Sequence, residues 1–192
     1  MQERYRSGDI PWDHALPPPE VMALAERLAP GRVLDLGCGS ARASVYLAAR
    51  GWQADGVDFV PEAIAMAHKR VQAANLEEYV RLHVGTVTDL HFLSDFYDLA
   101  IDVGCFHGLE PDQQRLYRQE LTRLIRPGGL FILYVHLGRL DQENGTTGIP
   151  IGLVEAVFAD SFLIKHVAYG QTIMADLHCE SAWYELERQL LS

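Results

Sequence analysis

Cysteine is scarce in this chain: Cys38, Cys105 and Cys179 are the only three in 192 residues. They stand far apart, with no CxxC pair and no companion His cluster, so neither a disulfide framework nor a structural zinc site is indicated. Reduced thiols in a cytoplasmic protein are the expectation, with no metal. Long apolar runs are missing as well. No stretch approaches the roughly 20 residues of a membrane-spanning helix, and the N-terminus opens on Gln2, Glu3 and Arg4 instead of an apolar export signal. Positive charge is also in short supply, with 16 Lys and Arg against 26 Asp and Glu and a formal net charge of −10. Polyphosphate backbones and anionic lipid surfaces reward the opposite sign, so the expected partner is a small molecule, with no nucleic acid and no membrane.

Apolar residues are abundant, at 48% of the chain, enough to fill one sizeable core at this length. A single domain over 1–192 is expected, with a lid segment over 1–19 and a core over 20–192, as a monomer or homodimer. The chain is organised around Val33-Leu34-Asp35-Leu36-Gly37-Cys38-Gly39-Ser40-Ala41-Arg42-Ala43. Val33, Leu34 and Leu36 predict a buried strand, and Ala43, Tyr46 and Leu47 recur at helical spacing, so the period changes across the glycines. A strand, a tight turn and a helix meet there, the junction at which α/β sheets bind ligands. Gly37 and Gly39 leave the main chain open to close approach.

Asp35 separates this loop from a dinucleotide fingerprint. The sequence Gly37-Cys38-Gly39-Ser40-Ala41-Arg42 does not complete GxGxxG, and a carboxylate at the strand end repels a pyrophosphate but attracts an ammonium group. The run from Val33 to Ala43 resembles the first motif of class I S-adenosylmethionine-dependent methyltransferases, in which a DxGxG loop holds the amino acid end of the cofactor; Ala41 stands where glycine is commoner. The resemblance implies an α/β, Rossmann-like doubly wound fold, with a mostly parallel seven-stranded sheet, helices on both faces and the last strand antiparallel. It implies S-adenosylmethionine as cofactor, with Asp35, Gly37, Cys38, Gly39 and Arg42 among its binding residues.

Before that loop, residues 8–19 are rich in proline and cannot be helical, yet Ile10, Trp12 and Leu16 are too apolar for a plain disordered tail. The segment is either a lid over the site or an arm docked on the core. Pro11-Trp12-Asp13 resembles the entry segment of the thiopurine, thiol and tellurite-resistance branch of small methyltransferases, in which the tryptophan lies against the cofactor. Val21, Leu24, Ala25 and Leu28 then predict an amphipathic helix ending at Pro30-Gly31.

A second strand is predicted over 53–57, with Asp58 and Phe59 at its end. Asp58 lies 23 residues beyond Asp35, close to the offset of about 20 at which an acid binds adenosine ribose hydroxyls. The bland alternative is a surface Asp capping the helix that starts at Pro61. Ile64, Ala67, His68 and Val71 predict that helix, and 79–84 a third strand; His68 and His83 lack metal spacing around them. In the family the next loop reads Gly-Asp-apolar and holds adenine. Here it is Gly85-Thr86-Val87-Thr88-Asp89-Leu90, so the resemblance puts Thr86, with Asp89 as alternative, and Val87 at that contact.

A fourth strand from Tyr97 runs into Asp102-Val103-Gly104-Cys105-Phe106-His107, again resembling the thiopurine and tellurite-type branch. Asp102, Val103 and Gly104 are the further cofactor candidates, and His107 is the candidate catalytic residue, to orient a substrate or take its proton. A loop His bonded only to backbone is the competing reading. Pro111 opens a helix presenting Tyr117, Leu121 and Leu124, and Arg126-Pro127-Gly128-Gly129 is expected to stop it before a strand over 130–135. A mobile polar loop over 138–148 with an Asn144-Gly145 turn, a short helix near Leu153, and strands over 162–168 and 181–187 complete the expectation; His166 and His178 should face outward on edge strands.

Methyl transfer from a sulfonium is an in-line displacement that depends on placement and a dry pocket, and aromatic faces such as Trp12 stabilise a cation. Only His107 and His14 offer bases, which suits a small acceptor that is soft or already ionised, such as a thiol. Two other functions stay open: a nicotinamide-dependent oxidoreductase and a non-catalytic S-adenosylmethionine-binding protein.

Overall fold

The computed structural model describes residues 2–7, 10, 12–138, 148–174 and 177–190. The chain forms two compact units, Met1–Phe92 and Leu93–Ser192. The expected Asn144-Gly145 turn, Pro11 of the entry motif and the orientation of His178 lie outside the described residues.

In the first unit three parallel strands, β1 (Arg32–Leu36), β2 (Gln53–Asp58) and β3 (Val80–Val84), run in the order β3-β2-β1. Their register sets Asp35 beside Gly56 and Asp58 beside Val84. Burial falls on the apolar runs that predicted the strands: Val33, Leu34, Leu36 and Val57 have no exposed surface. The helices are α1 (Gln2–Ser7), α2 (Pro19–Arg27), α3 (Arg42–Ala48) and α4 (Pro61–Ala73). Pro19 and Pro61 take first-turn positions, where a missing N–H costs nothing. Of the α4 face expected from spacing, Ile64, Ala67 and Val71 are buried together with Ala63, whereas His68 is exposed because it lies on the flank of that stripe. Residues 12–18 are non-helical as expected, but α1 precedes them. Its polar sequence gives no apolar period, and it is fastened from outside, by an Arg6 to Glu62 ion pair of 2.6 Å onto α4.

In the second unit β4 (Tyr97–Val103) pairs parallel with β5 (Ile125–Leu137), and β7 (Leu177–Arg188) pairs antiparallel with both β5 and β6 (Phe162–Met174). Among the described residues the helices are α5 (Pro111–Leu124) and α6 (Leu153–Phe158), with a 3-10 turn at Phe106–Gly108. Phe106, Tyr117, Phe131, Phe158 and Phe162 are all buried, with ring centroids such as Phe106 to Phe158 at 5.4 Å in tilted contact. Arg126-Pro127-Gly128-Gly129 does not precede the fifth strand but lies within it, at a register shift opposite residues 97–99. Gly129 is needed there, because a Cβ would stand 2.7 Å from Ile125 Cγ2 and 2.9 Å from the Arg126 carbonyl oxygen. Strands β6 and β7 outrun their expected lengths, since their distal residues pair in an exposed hairpin that burial patterning does not mark.

The fold class is the expected one: seven strands, parallel but for an antiparallel β7, flanked by helices in a Rossmann-like α/β arrangement. Among the described residues no helix is long and apolar enough to cross a membrane.

Candidate functional site

The loop between β1 and α3 is shaped by three left-handed residues in alternation, Gly37 (φ 65°), Gly39 (φ 55°) and Ala41 (φ 60°). Two glycines take that conformation at no steric cost, whereas Ala41 holds it with its methyl fully buried. The loop spends much of its own polarity internally. Cys38 N–H donates to the Val57 carbonyl at 3.0 Å, Ala41 N–H to the Cys38 carbonyl at 2.8 Å, and Gly39 N–H to Asp58 Oδ2 at 2.9 Å. Cys38 tucks its side chain over Gly56, where a Cβ would come within 3.1 Å of the sulfur. No local pattern marks Gly56.

Asp35 is buried at the end of β1, and its Oδ2 accepts both the Ser44 N–H (3.1 Å) and the Ser44 Oγ–H (2.6 Å), capping the first turn of α3. Burial pushes its carboxyl up to about 6, against the pull of those bonds and of Arg42. Asp58 ends β2 with Oδ1 accepting the Val60 N–H at 2.9 Å and Oδ2 the Gly39 N–H. Its pKa is also raised by burial, and the two backbone bonds oppose the rise. Asp58 thus combines the cap with a bond to the glycine loop. Phe59 beside it is 61% exposed, an unusually open aromatic. Thr86 is exposed, and its Oγ1 accepts the Thr88 N–H at 3.3 Å; Val87 is buried, and Asp89 pairs with His91 at 2.9 Å.

The entry segment lies on this loop. Asp13 accepts a hydrogen bond from Ser40 Oγ and pairs with Arg70 Nη2 of α4 at 3.2 Å. Arg42 Nη1 reaches the Leu16 carbonyl at 3.4 Å, and the Arg4 guanidinium stands 5.4 Å from the centre of the half-buried Trp12 ring. His14 is exposed. Asp13 and Ser40 stood inside recognised motifs, but nothing in their spacing announced that they meet.

Within the second unit Asp102 is fully buried at the end of β4. Its carboxylate accepts the Cys105 N–H at 2.7 Å, the Phe106 N–H at 3.0 Å and the Tyr117 O–H at 2.6 Å, which together fold the 103–106 loop. Burial pushes Asp102 up to about 7 and, with the neighbouring carboxylate, Tyr117 well above the usual tyrosine value. Gly104 turns with φ 95°, and a Cβ there would meet His107 Cε1 at 3.3 Å. His107 stacks on His136 of β5, rings 4.4 Å apart and 16° from parallel, and its Nδ1 accepts the His136 backbone N–H at 3.2 Å. Among the described residues no group of His, Cys, Asp or Glu is arranged to hold a metal ion.

A family described as a methyltransferase domain matches residues 33–129, from β1 into the first part of β5. A 2-heptyl-1-hydroxyquinolin-4(1H)-one methyltransferase of Mycobacteroides abscessus is 32% identical over 126 residues, covering 65% of this chain and 55% of that protein. A probable thiol methyltransferase 2 of Arabidopsis thaliana is 28% identical over 80% of this chain and 68% of its own length. The chain thus spans little more than half the length of the first of these relatives. The fold of Burkholderia thailandensis 1,6-didemethyltoxoflavin-N1-methyltransferase, solved with 1,6-didemethyltoxoflavin and S-adenosylhomocysteine, superposes with a TM-score of 0.77 at 20% identity, over 97% of this chain and 84% of that one. With half of its length matched by that family, this chain belongs to the methyltransferase-domain family.

Proposed function

We propose that the chain transfers a methyl group from S-adenosylmethionine to a small molecule, with a thiol or another soft nucleophile as the acceptor class. The observation that carries this reading is the pair of buried strand-end carboxylates, Asp35 and Asp58, around a glycine loop whose Cys38, Gly39 and Ala41 N–H groups are already paired. A dinucleotide needs those N–H groups for its phosphates and would meet two carboxylates. A nucleoside with free hydroxyls and an ammonium group meets complementary acceptors, and this disfavours a nicotinamide-dependent oxidoreductase.

The residues fit such a ligand. Each Asp58 oxygen accepts one backbone N–H and has lone pairs left for one hydroxyl of a ribose diol. Phe59 offers a face to adenine, with Thr86 or Asp89 and the Val87 backbone at its edge. Asp35 sets the negative field for the ammonium end along Gly37, Cys38 and Gly39, with Arg42 beside it; Trp12 lies against the sulfonium. Asp102 acts by fixing the Val103 and Gly104 backbone. His107 serves the acceptor. When bound, S-adenosylmethionine supplies a methyl group activated by positive sulfur. The chain's own work is placement and exclusion of water, and the Asp13 tie between entry segment and loop serves both.

The related probable thiol methyltransferase and the net charge of −10 support a small-molecule partner over nucleic acid; the reading takes the chain as a cytoplasmic monomer or homodimer. Isothermal titration tests the reading directly: S-adenosylhomocysteine binds at tens of micromolar or tighter and NADH does not. Absence of the first, or presence of the second at equal strength, overturns it.

A further inference from the structure

The surroundings of the His107 imidazole fix its tautomer. Its Nδ1 accepts the His136 backbone N–H at 3.2 Å, and an imidazole nitrogen that accepts carries no proton, so in the neutral ring the proton sits on Nε2. The stacked His136 ring at 4.4 Å, itself edge-on to Tyr134, covers one face. The Cε1–Nε2 edge lies over Gly104, the residue whose missing Cβ makes room for it. No described residue takes a hydrogen bond from Nε2. Among the described residues the titratable group recorded against the His107 ring is His136, with Tyr134 edge-on to it. Burial first, and then the adjacent His136, push the His107 pKa down to about 4, so the ring is neutral at physiological pH.

From this geometry we infer that His107 is a hydrogen-bond donor to the methyl acceptor through Nε2–H, not a base, and that the acceptor is a thiolate or comparably acidic oxygen anion rather than an amine. The reason is a count of lone pairs. A neutral amine nitrogen has one, and a nitrogen that gives it to an N–H donor has none left for attack. A thiolate or phenolate has three, so one receives the hydrogen bond while another attacks. The acceptor's proton goes to solvent before binding. In the transfer, the acceptor lone pair forms the new bond to the methyl carbon as the carbon–sulfur bond breaks, and the released pair neutralises the sulfonium. No proton passes to the enzyme.

This inference rests on the methyl-transfer reading, and its test separates the two. The first readout needs no turnover. In 15N-histidine-labelled protein saturated with S-adenosylhomocysteine, long-range 1H–15N spectra, assigned by the signals lost in His107→Gln, should show Nδ1 unprotonated and Nε2 protonated down to below pH 5. A proton on Nδ1, or titration near 6.5, overturns the inference while leaving cofactor binding intact. Failure to bind S-adenosylhomocysteine at all overturns the parent reading instead.

The second readout uses thiophenol, 4-nitrothiophenol, 4-methoxythiophenol and phenol against aniline, following S-adenosylhomocysteine release. The acid limb of kcat/KM should move with each thiol's own pKa. His107→Ala should lower kcat/KM roughly 10- to 100-fold, the worth of a hydrogen bond to a charged group, and His107→Gln, whose amide N–H reaches the Nε2 position, should recover part of it. A limb common to all thiols, aniline methylated as fast as thiophenol, or no turnover of any thiol or phenol by a chain that binds the cofactor product, overturns the inference.

Discussion

Asp58 and Gly39, 19 residues apart in sequence, are joined by a 2.9 Å bond from the Gly39 N–H to the Asp58 carboxylate. The bond ties the tip of β2 to the glycine loop after β1, so one side chain shapes the loop and, in the proposed function, also holds the ribose. Asp58→Ala removes both. Affinity for S-adenosylhomocysteine is expected to weaken by about 1–3 kcal/mol, the range for charge-assisted hydrogen bonds lost from a binding site. Isothermal titration measures it, and an unchanged dissociation constant removes Asp58 from the ribose site.

Asp35 carries a cost that depends on pH. Its folded-state pKa, raised to about 6 by burial, exceeds the ordinary 3.8, so the folded protein holds a proton that the unfolded chain releases between those values. The contribution is fully present below the unfolded pKa and is lost as pH rises through 6. Asparagine keeps an acceptor oxygen for both Ser44 bonds and never ionises. Asp35→Asn is therefore expected to match wild type near pH 4 and to be more stable above pH 7, by on the order of 2 kcal/mol. The same variant should bind S-adenosylmethionine more weakly, having lost the charge for its ammonium group. Urea unfolding from pH 4 to 8 checks the first point, and a stability difference that stays flat with pH refutes it.

The part of this molecule that sequence discloses is the part built from neighbours in sequence. Asp35 and Asp58 were legible because each closes an apolar strand just before a turn, and the period changes there. His107 was legible as a candidate, but its protonation state depends on a backbone N–H 29 residues away, on a strand whose register no local pattern fixes. The same holds for Tyr117 against Asp102 and for Asp13 against Ser40. Helix α1 has a polar sequence with no apolar period to announce it. Gly129 reads as part of a helix-stopping turn because Pro-Gly-Gly is a turn signal, yet its role is to let the Asp98 carbonyl and the Ile125 side chain close in.

Asp13 holds the entry segment by two bonds to different elements, Ser40 of the loop and Arg70 of α4. Both are partly buried, so their loss costs more than a surface ion pair, roughly 1 kcal/mol in stability. The larger effect should be local. In Asp13→Ala, trypsin should cut after Arg4 and Arg6 faster than in wild type, and S-adenosylhomocysteine should lose part of its protection against that cleavage. Identical cleavage rates in the two proteins would mean that Asp13 does not hold the segment.

Gly56 carries no chemistry, yet the glycine loop rests on it. A Cβ at this position would stand 3.0 Å from Leu82 Cδ2 and 3.1 Å from Cys38 Sγ, both closer than ordinary contact. Leu82 meets it with the end of a flexible side chain, whereas Cys38 meets it with Sγ and, at 3.3 Å, with Cβ, so the strain falls on the loop through Cys38. Moving Cys38 strains its N–H bond to the Val57 carbonyl and displaces the adjacent Gly39 from Asp58. Gly56→Ala is therefore expected to cost about 1–3 kcal/mol of stability, as overpacking of a dense interior does, and to weaken cofactor binding together with it. Truncating the obstacle discriminates this account from a general intolerance of β2. In Gly56→Ala with Cys38→Ala the sulfur is gone, and denaturation and titration should both return most of the way to the Cys38→Ala values. If the double variant is as weak as the sum of the two single ones, the contact between Gly56 and Cys38 is not what shapes the loop.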